Sequence, residues 1–146
     1  MIEIIRLEDE AGVANQTAVD AILDETALEL GRPFRAGPVN LRAEDANGRM
    51  VGGLTASVLQ GWFFVKLLAV APEGRGQGIG ARLLAEAERI AAEKGLAGVY
   101  LDTFDFQAPR FYLREGYREI GRLPAAGDAP QRIWFAKTFD ETGSKT

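Results

Sequence analysis

The sequence contains no cysteine and no histidine among its 146 residues. Disulfides, thiolate nucleophiles and zinc sites of the Cys/His kind are therefore excluded. Serine occurs only at Ser57 and Ser144, and without histidine a Ser-His-Asp hydrolase is excluded as well. Charge of one sign is lacking too, with 17 Lys+Arg against 21 Asp+Glu and a net of −4. Such a balance gives no grip on nucleic acid or an anionic membrane, so neither is expected as a partner. Long hydrophobic runs are missing: the stretch from Trp62 to Pro72 is broken by Lys66 and falls short of the ~20 residues of a membrane span. Met1-Ile2-Glu3-Ile4-Ile5-Arg6-Leu7 carries charge too early for a signal peptide. A cytoplasmic placement is the expectation. Any chemistry must rest on carboxylates, tyrosine, lysine, arginine or backbone groups.

What is present is an ample core-forming fraction, 47% hydrophobic, in a length that suits one globular domain over 1–146. Apolar alternation suggests a strand at 2–7. Helical spacing follows over 10–30, with Gly31 and Pro33 as stop signals. A short strand at 39–43 leads into Asp45-Ala46-Asn47-Gly48, a hairpin turn. Strands at 50–59 and 62–70 flank Gln60-Gly61. A helix over 78–94 and a strand over 99–103 follow, then a short helix over 108–115 closed by Gly116. Strands at 117–123 and 132–139 complete the chain before a polar, frayed tail from Asp140. The order β-α-β-β-β-α-β-α-β-β demands one parallel crossover, from strand 62–70 through helix 78–94 to strand 98–103. An α/β (α+β) fold is expected, with a mixed, strongly twisted sheet of about seven strands and helices on both faces.

The densest motif is Arg75-Gly76-Gln77-Gly78-Ile79-Gly80, set between a buried strand and a helix start. Glycines there let backbone N–H groups approach a ligand closely, and the helix N-terminus adds partial positive charge. Phosphate or pyrophosphate is the natural guest; the plainer alternative is a turn glycine-rich for packing alone. No Gly-Lys-Ser/Thr follows, so a P-loop is out. Gly76-x-Gly78-x-x-Ala81 matches a dinucleotide fingerprint, and Asp102 lies 21 residues past Ala81. Against it, five residues separate Val70 from Gly76, and too few strands remain for a two-halved fold.

Val70-Ala71-Pro72-Glu73-Gly74-Arg75-Gly76-Gln77-Gly78-Ile79-Gly80 resembles the Q/R-x-x-G-x-G/A signature of the GNAT N-acetyltransferase superfamily. Downstream, Leu101 to Tyr112, with Phe111-Tyr112 and then Gly116-Tyr117, resembles that superfamily's second motif. The resemblance implies a fold in which the strands equivalent to 62–70 and 98–103 splay apart around a pantetheine arm. It implies acetyl-CoA as co-substrate, with no metal. Leu68, Ala69 and Val70 would offer backbone groups to the arm, and the Val70 N–H would polarise the thioester carbonyl. Gly76, Gln77, Gly78, Ile79, Gly80 and Ala81 would cradle the pyrophosphate, with Arg75 assisting there or bracing the loop.

The implied reaction is acetyl transfer to a primary amine of a small molecule or peptide, by direct attack through a tetrahedral intermediate. Tyr112 matches the tyrosine that protonates the departing thiolate in many relatives; the alternative is a packed aromatic, with Phe111 beside it expected in the core. The glutamate that many members carry on the strand equivalent to 62–70 is absent, its nearest positions being Phe64 and Lys66. Asp102 is then the candidate base by analogy with strand carboxylates elsewhere in the superfamily. Asp105, with a competing role as a helix cap, and a water relay are the alternatives. Trp62, Phe104, Phe106 and Trp134 either fill the core or frame an acceptor pocket, and Phe34 and Arg35 sit where an acceptor wall is often built. A GNAT-like module that binds acyl-CoA without turnover is the competing function. A monomer and a homodimer are both compatible with the sequence.

Overall fold

The computed structural model describes residues 1–34 and 37–139. Arg35 and the tail from Asp140 lie outside the described residues. The chain separates into two compact units, Met1–Arg35 and Ala36–Thr146. The first holds helix α1 (Asp9–Glu29). It ends where Gly31 adopts φ 72° and the Arg32 N–H reaches back to the Ala27 carbonyl at 2.8 Å, a left-handed cap that glycine takes without a Cβ penalty. Residues 1–8 carry no regular secondary structure, so the strand expected at 2–7 does not form among them. A strand exists through a ladder partner, residues 2–7 enter none of the described pairings, and the Ile4-Ile5 doublet breaks their alternation.

The second unit follows the sequence pattern closely. Its elements are β1 (Gly37–Glu44), β2 (Met50–Leu59), β3 (Trp62–Val70), a 3₁₀ turn (Pro72–Gly74), α2 (Ile79–Glu93), β4 (Gly98–Phe104), α3 (Pro109–Arg114), β5 (Arg118–Arg122) and β6 (Arg132–Thr138). Six strands, rather than about seven, form one sheet in the order β1-β2-β3-β4-β6-β5. Every neighbouring pair is antiparallel except β3 and β4, which α2 joins as the sequence order requires. The Asp45 carboxylate fixes the first hairpin by accepting from the N–H groups of Asn47 at 2.8 Å and Arg49 at 3.0 Å.

Strand alternation sends Phe63, Val65, Val99, Leu101, Ile133 and Phe135 to one buried face. Leu83, Leu84, Ala87 and Ala91 of α2 and Tyr112 of α3 complete that core. Each large apolar side chain buried there contributes ~1.5–3 kcal/mol. Two charged groups are enclosed there as a pair: Glu88 accepts hydrogen bonds from Lys137 Nζ at 3.0 Å and the Tyr117 hydroxyl at 2.9 Å.

Gly98 opens β4 against the neighbouring strand, where a Cβ would run into the Lys137 carbonyl and come within 3.0 Å of the Trp62 ring. Gly98→Ala is therefore expected to cost about 1–3 kcal/mol, as overpacking typically does. The measurement is the urea midpoint, and an unchanged midpoint would show that β4 and β6 can spread at no cost.

Candidate active site

The site begins with a break in the sheet. Thr55 pairs with Leu67 and Ala56 with Val65, so Lys66 is an extra residue on β3 with no partner on β2. Such a bulge bends and twists its strand. Parallel pairing with β4 covers only Phe63 to Val65 against Val99 to Leu101, and beyond it the two strands separate. The Ala71 N–H donates to the Val51 carbonyl of β2 at 2.8 Å. Backbone groups alternate sides along a strand, so those of Ala69 also face β2, while those of Leu68 and Val70 face the opened edge. Of the three residues expected to offer backbone groups, Ala69 is therefore the one turned away.

A cavity of about 520 Å³ lies at this opening. Leu68 and Val70 form its strand wall, and Arg75, Gly76, Gly78, Ile79, Gly80 and Ala81 form its loop and helix wall. Gly76 and Gly78 have φ of 79° and 70°, and a Cβ on either would meet nothing within 4 Å. Backbone conformation, not crowding, selects glycine at these two positions. Gly78 is the N-cap of α2 and makes no side-chain cap, so the first N–H groups of the helix are left for an anion. Gln77 points elsewhere: its amide donates to the Glu73 carbonyl at 3.2 Å, and it lines a neighbouring groove of about 840 Å³. That groove is walled by ion-paired Arg42–Glu44 and Glu86–Arg89 and holds neither Tyr112 nor Asp102.

The third wall is α3, through Ala108, Phe111, Tyr112, Arg114 and Glu115. Sequence reasoning assigned no ligand role to Ala108, Phe111, Arg114 or Glu115, nor to Gly74 of the loop. The signal available for Phe111 was Gly80, where a Cβ would come within 3.4 Å of the Phe111 ring. Phe111 was expected in the core and Tyr112 outside it. The structure reverses this: Tyr112 is 6% exposed and Phe111 is half-buried, because Tyr112 packs against Phe135 at 5.9 Å and Tyr117 at 6.0 Å.

The Tyr112 ring is buried but its hydroxyl is not sealed off, since no enclosed side-chain oxygen among the described residues lacks a partner. No hydrogen bond reaches that hydroxyl from any described residue. Burial, and secondly the Asp102 charge, push its pKa up to about 12. Tyr117 shows the contrast, since its hydroxyl is committed to Glu88.

Asp102 does not line the cavity. Its Oδ1 accepts from Arg132 Nε at 2.9 Å, and the Arg132 guanidinium lies 5.0 Å over the Trp134 ring. Asp105 is not a helix cap, because α3 begins at Ala108 without any side-chain cap. Its carboxylate instead accepts from the Gln131 N–H at 3.2 Å. Phe64 stacks on Tyr100 at 4.8 Å, Trp62 meets the edge of the same ring, and Phe104 stacks on an exposed Phe106 at 5.7 Å. Phe34 belongs to the first unit. Among the described residues, no acidic cluster is arranged to hold a metal.

The strands thus part beside a left-handed glycine loop at a helix start. The family model of an acetyltransferase (GNAT) domain matches residues 41–119, more than half of the chain. The chain is 46% identical over 102 residues to a blasticidin-S acetyltransferase of Streptomyces morookaense, covering 67% of this chain and 75% of that protein. It is 37% identical over 101 residues to the acetyltransferase Atu2258 of Agrobacterium fabrum, covering 69% and 74%. The crystal structure of an acetyltransferase from Bacillus cereus superposes with a TM-score of 0.76 at 25% identity, over 97% of this chain and 98% of that one. This chain belongs to the GNAT acetyltransferase family and is an acyltransferase.

Gly78→Val tests the loop. A β-branched residue resists φ 70°, and straightening it would turn the α2 N–H groups off the cavity. Coenzyme A affinity measured by calorimetry is expected to fall by roughly tenfold or more, ~1.4 kcal/mol. Equal affinity would remove the loop from the site.

Proposed function

We propose that the chain transfers the acetyl group of acetyl-CoA to a primary amine, within the cleft where β3 and β4 part. The observation that carries this is Tyr112, whose ring is buried and whose hydroxyl, accessible and without a hydrogen bond to any described residue, stands on the wall of the glycine-loop cavity. The cavity suits coenzyme A on its own features. Gly76 and Gly78 leave open space beside an uncapped helix start, and Arg75 adds a cation for a pyrophosphate. Leu68 and Val70 present strand-edge groups to a pantetheine amide.

Bound acetyl-CoA supplies an acetyl group activated as a thioester. In this reading the Val70 N–H donates to the acyl oxygen and stabilises negative charge developing there. Tyr112 gives its proton to the sulfur as the bond to carbon breaks, and its high pKa keeps that proton available through the working pH range. Asp102 takes the proton of the incoming amine, directly or through water. Arg132 holds the carboxylate by Oδ1, which orients it and leaves Oδ2 for the exchange. The kinship with an enzyme named for blasticidin-S supports a small-molecule acceptor ahead of a peptide. A binding module without turnover has less support, because nothing in such a role would require a phenol hydroxyl left open to the cavity.

Tyr112→Phe keeps the ring and removes the hydroxyl. Turnover is expected to fall at the low end of the ~10²–10⁴ range for a positioned acid, since a thiolate leaves readily. Coenzyme A affinity should stay within about twofold, because the proton moves only in the transition state. Full turnover at saturating acceptor would exclude Tyr112. The pH dependence carries a sign: a phenol with pKa about 12 is protonated below that value, so the wild type should show no alkaline loss of kcat up to about pH 10.

For Asp102→Asn, the ionisation on the acidic limb of the pH–rate profile is expected to disappear. An acidic limb that survives the substitution would assign the proton to a water relay.

A further inference from the structure

Glu88, Tyr117 and Lys137 are buried together at 2%, 3% and 8% exposure, and the reaction as drawn uses none of them. One carboxylate oxygen, Glu88 Oε2, accepts from both the Tyr117 hydroxyl at 2.9 Å and Lys137 Nζ at 3.0 Å. The Lys137 ammonium also lies 4.8 Å from the centre of the Tyr117 ring. A buried ion pair is no more stabilising than well-packed apolar side chains of the same volume, so stability alone gives no account of the trio. Its placement does. The Tyr117 ring stands edge-on to Tyr112 at 6.0 Å and 70°. The Tyr117 N–H donates to the Tyr112 carbonyl at 2.9 Å, across a turn that Gly116 makes at φ 90°. Phe135 closes on Tyr112 at 5.9 Å. The Tyr112 hydroxyl thus has no hydrogen bond from a described residue to orient it, and the side chain takes its position from the rings beside it, one of which is pinned by Glu88.

We propose that Tyr117 and Glu88 are positioning residues for Tyr112: the Glu88–Lys137 pair anchors the Tyr117 hydroxyl, and the anchored ring holds the Tyr112 phenol toward the cleft. This rests on the assignment of Tyr112 as proton donor. Loss of the anchor lets the phenol drift, and small misplacements of a reacting group are costly in rate.

The test is a double-mutant cycle between Tyr117→Phe and Tyr112→Phe, read as kcat and as coenzyme A affinity by calorimetry. Tyr117→Phe alone is expected to lower kcat on the order of tenfold, with affinity unchanged within about twofold. In the Tyr112→Phe background the same substitution should change kcat by less than about twofold, since the group being positioned is gone. Undiminished kcat in Tyr117→Phe overturns the proposal, as does a tenfold loss that persists in the Tyr112→Phe background. Full activity in Tyr112→Phe alone would instead overturn the assignment of the donor, which is a separate result. Should Tyr117→Phe fail to bind coenzyme A, the paired change Glu88→Leu with Lys137→Met removes the anchor while keeping the site filled. It is held to the same two outcomes.

Discussion

Parallel pairing of β3 with β4 stops after Leu101, and the site depends on where it stops. With the ladder continued, the backbone groups of Leu68 and Val70 would be spent on pairing with the β4 side, and no cleft would open between the strands. The extra residue at Lys66 bends β3 away at that point. The bend has a second effect. Tyr112 lies on the helix-covered face and Asp102 alternates to the other, yet the charge of Asp102 is felt at the Tyr112 phenol. An opened sheet lets two groups from opposite faces come within electrostatic reach of each other.

Two tyrosines five residues apart meet different fates in the same core. Both are buried, and burial raises the pKa of both. Tyr117 donates its hydroxyl hydrogen bond to a fixed acceptor, Glu88, and becomes a structural strut. Tyr112 has no such acceptor and keeps its hydroxyl for whatever occupies the cavity. Chemistry here is decided less by residue type than by which hydroxyl the fold leaves unspent.

Much of this was legible in the sequence. Strand and helix limits of the second unit came through because each apolar run is bounded by Gly, Pro or Asn-Gly, as at Asn47-Gly48 and Gln60-Gly61. The glycine loop declared itself by composition and by its place before a helix. Three things were not legible. The strand at 2–7 was inferred from alternation, which says nothing about whether a partner is present. The exchange of Phe111 and Tyr112 between core and cavity turns on the rotation of a helix of only six residues, Pro109–Arg114, too short for periodicity to fix. The turning of Ala69 toward β2 follows from the bulge one turn of the pleat earlier, and Lys66 carries no mark of being a bulge.

Ile79 joins two properties usually kept apart. It is the first helical residue after the left-handed Gly78, it lines the cavity at the opened strand edge, and its side chain is buried in the core against Gly74 and Gly52. The glycine loop is therefore no detachable lid, because unfolding the core must disorder it. Occupancy of the cavity and cohesion of the sheet become one linked equilibrium, in which a ligand at a hundred times its dissociation constant adds about 2.7 kcal/mol to the whole unit. A cell rich in the ligand would hold this protein in a more stable state than one depleted of it, and its lifetime against proteolysis would follow the supply.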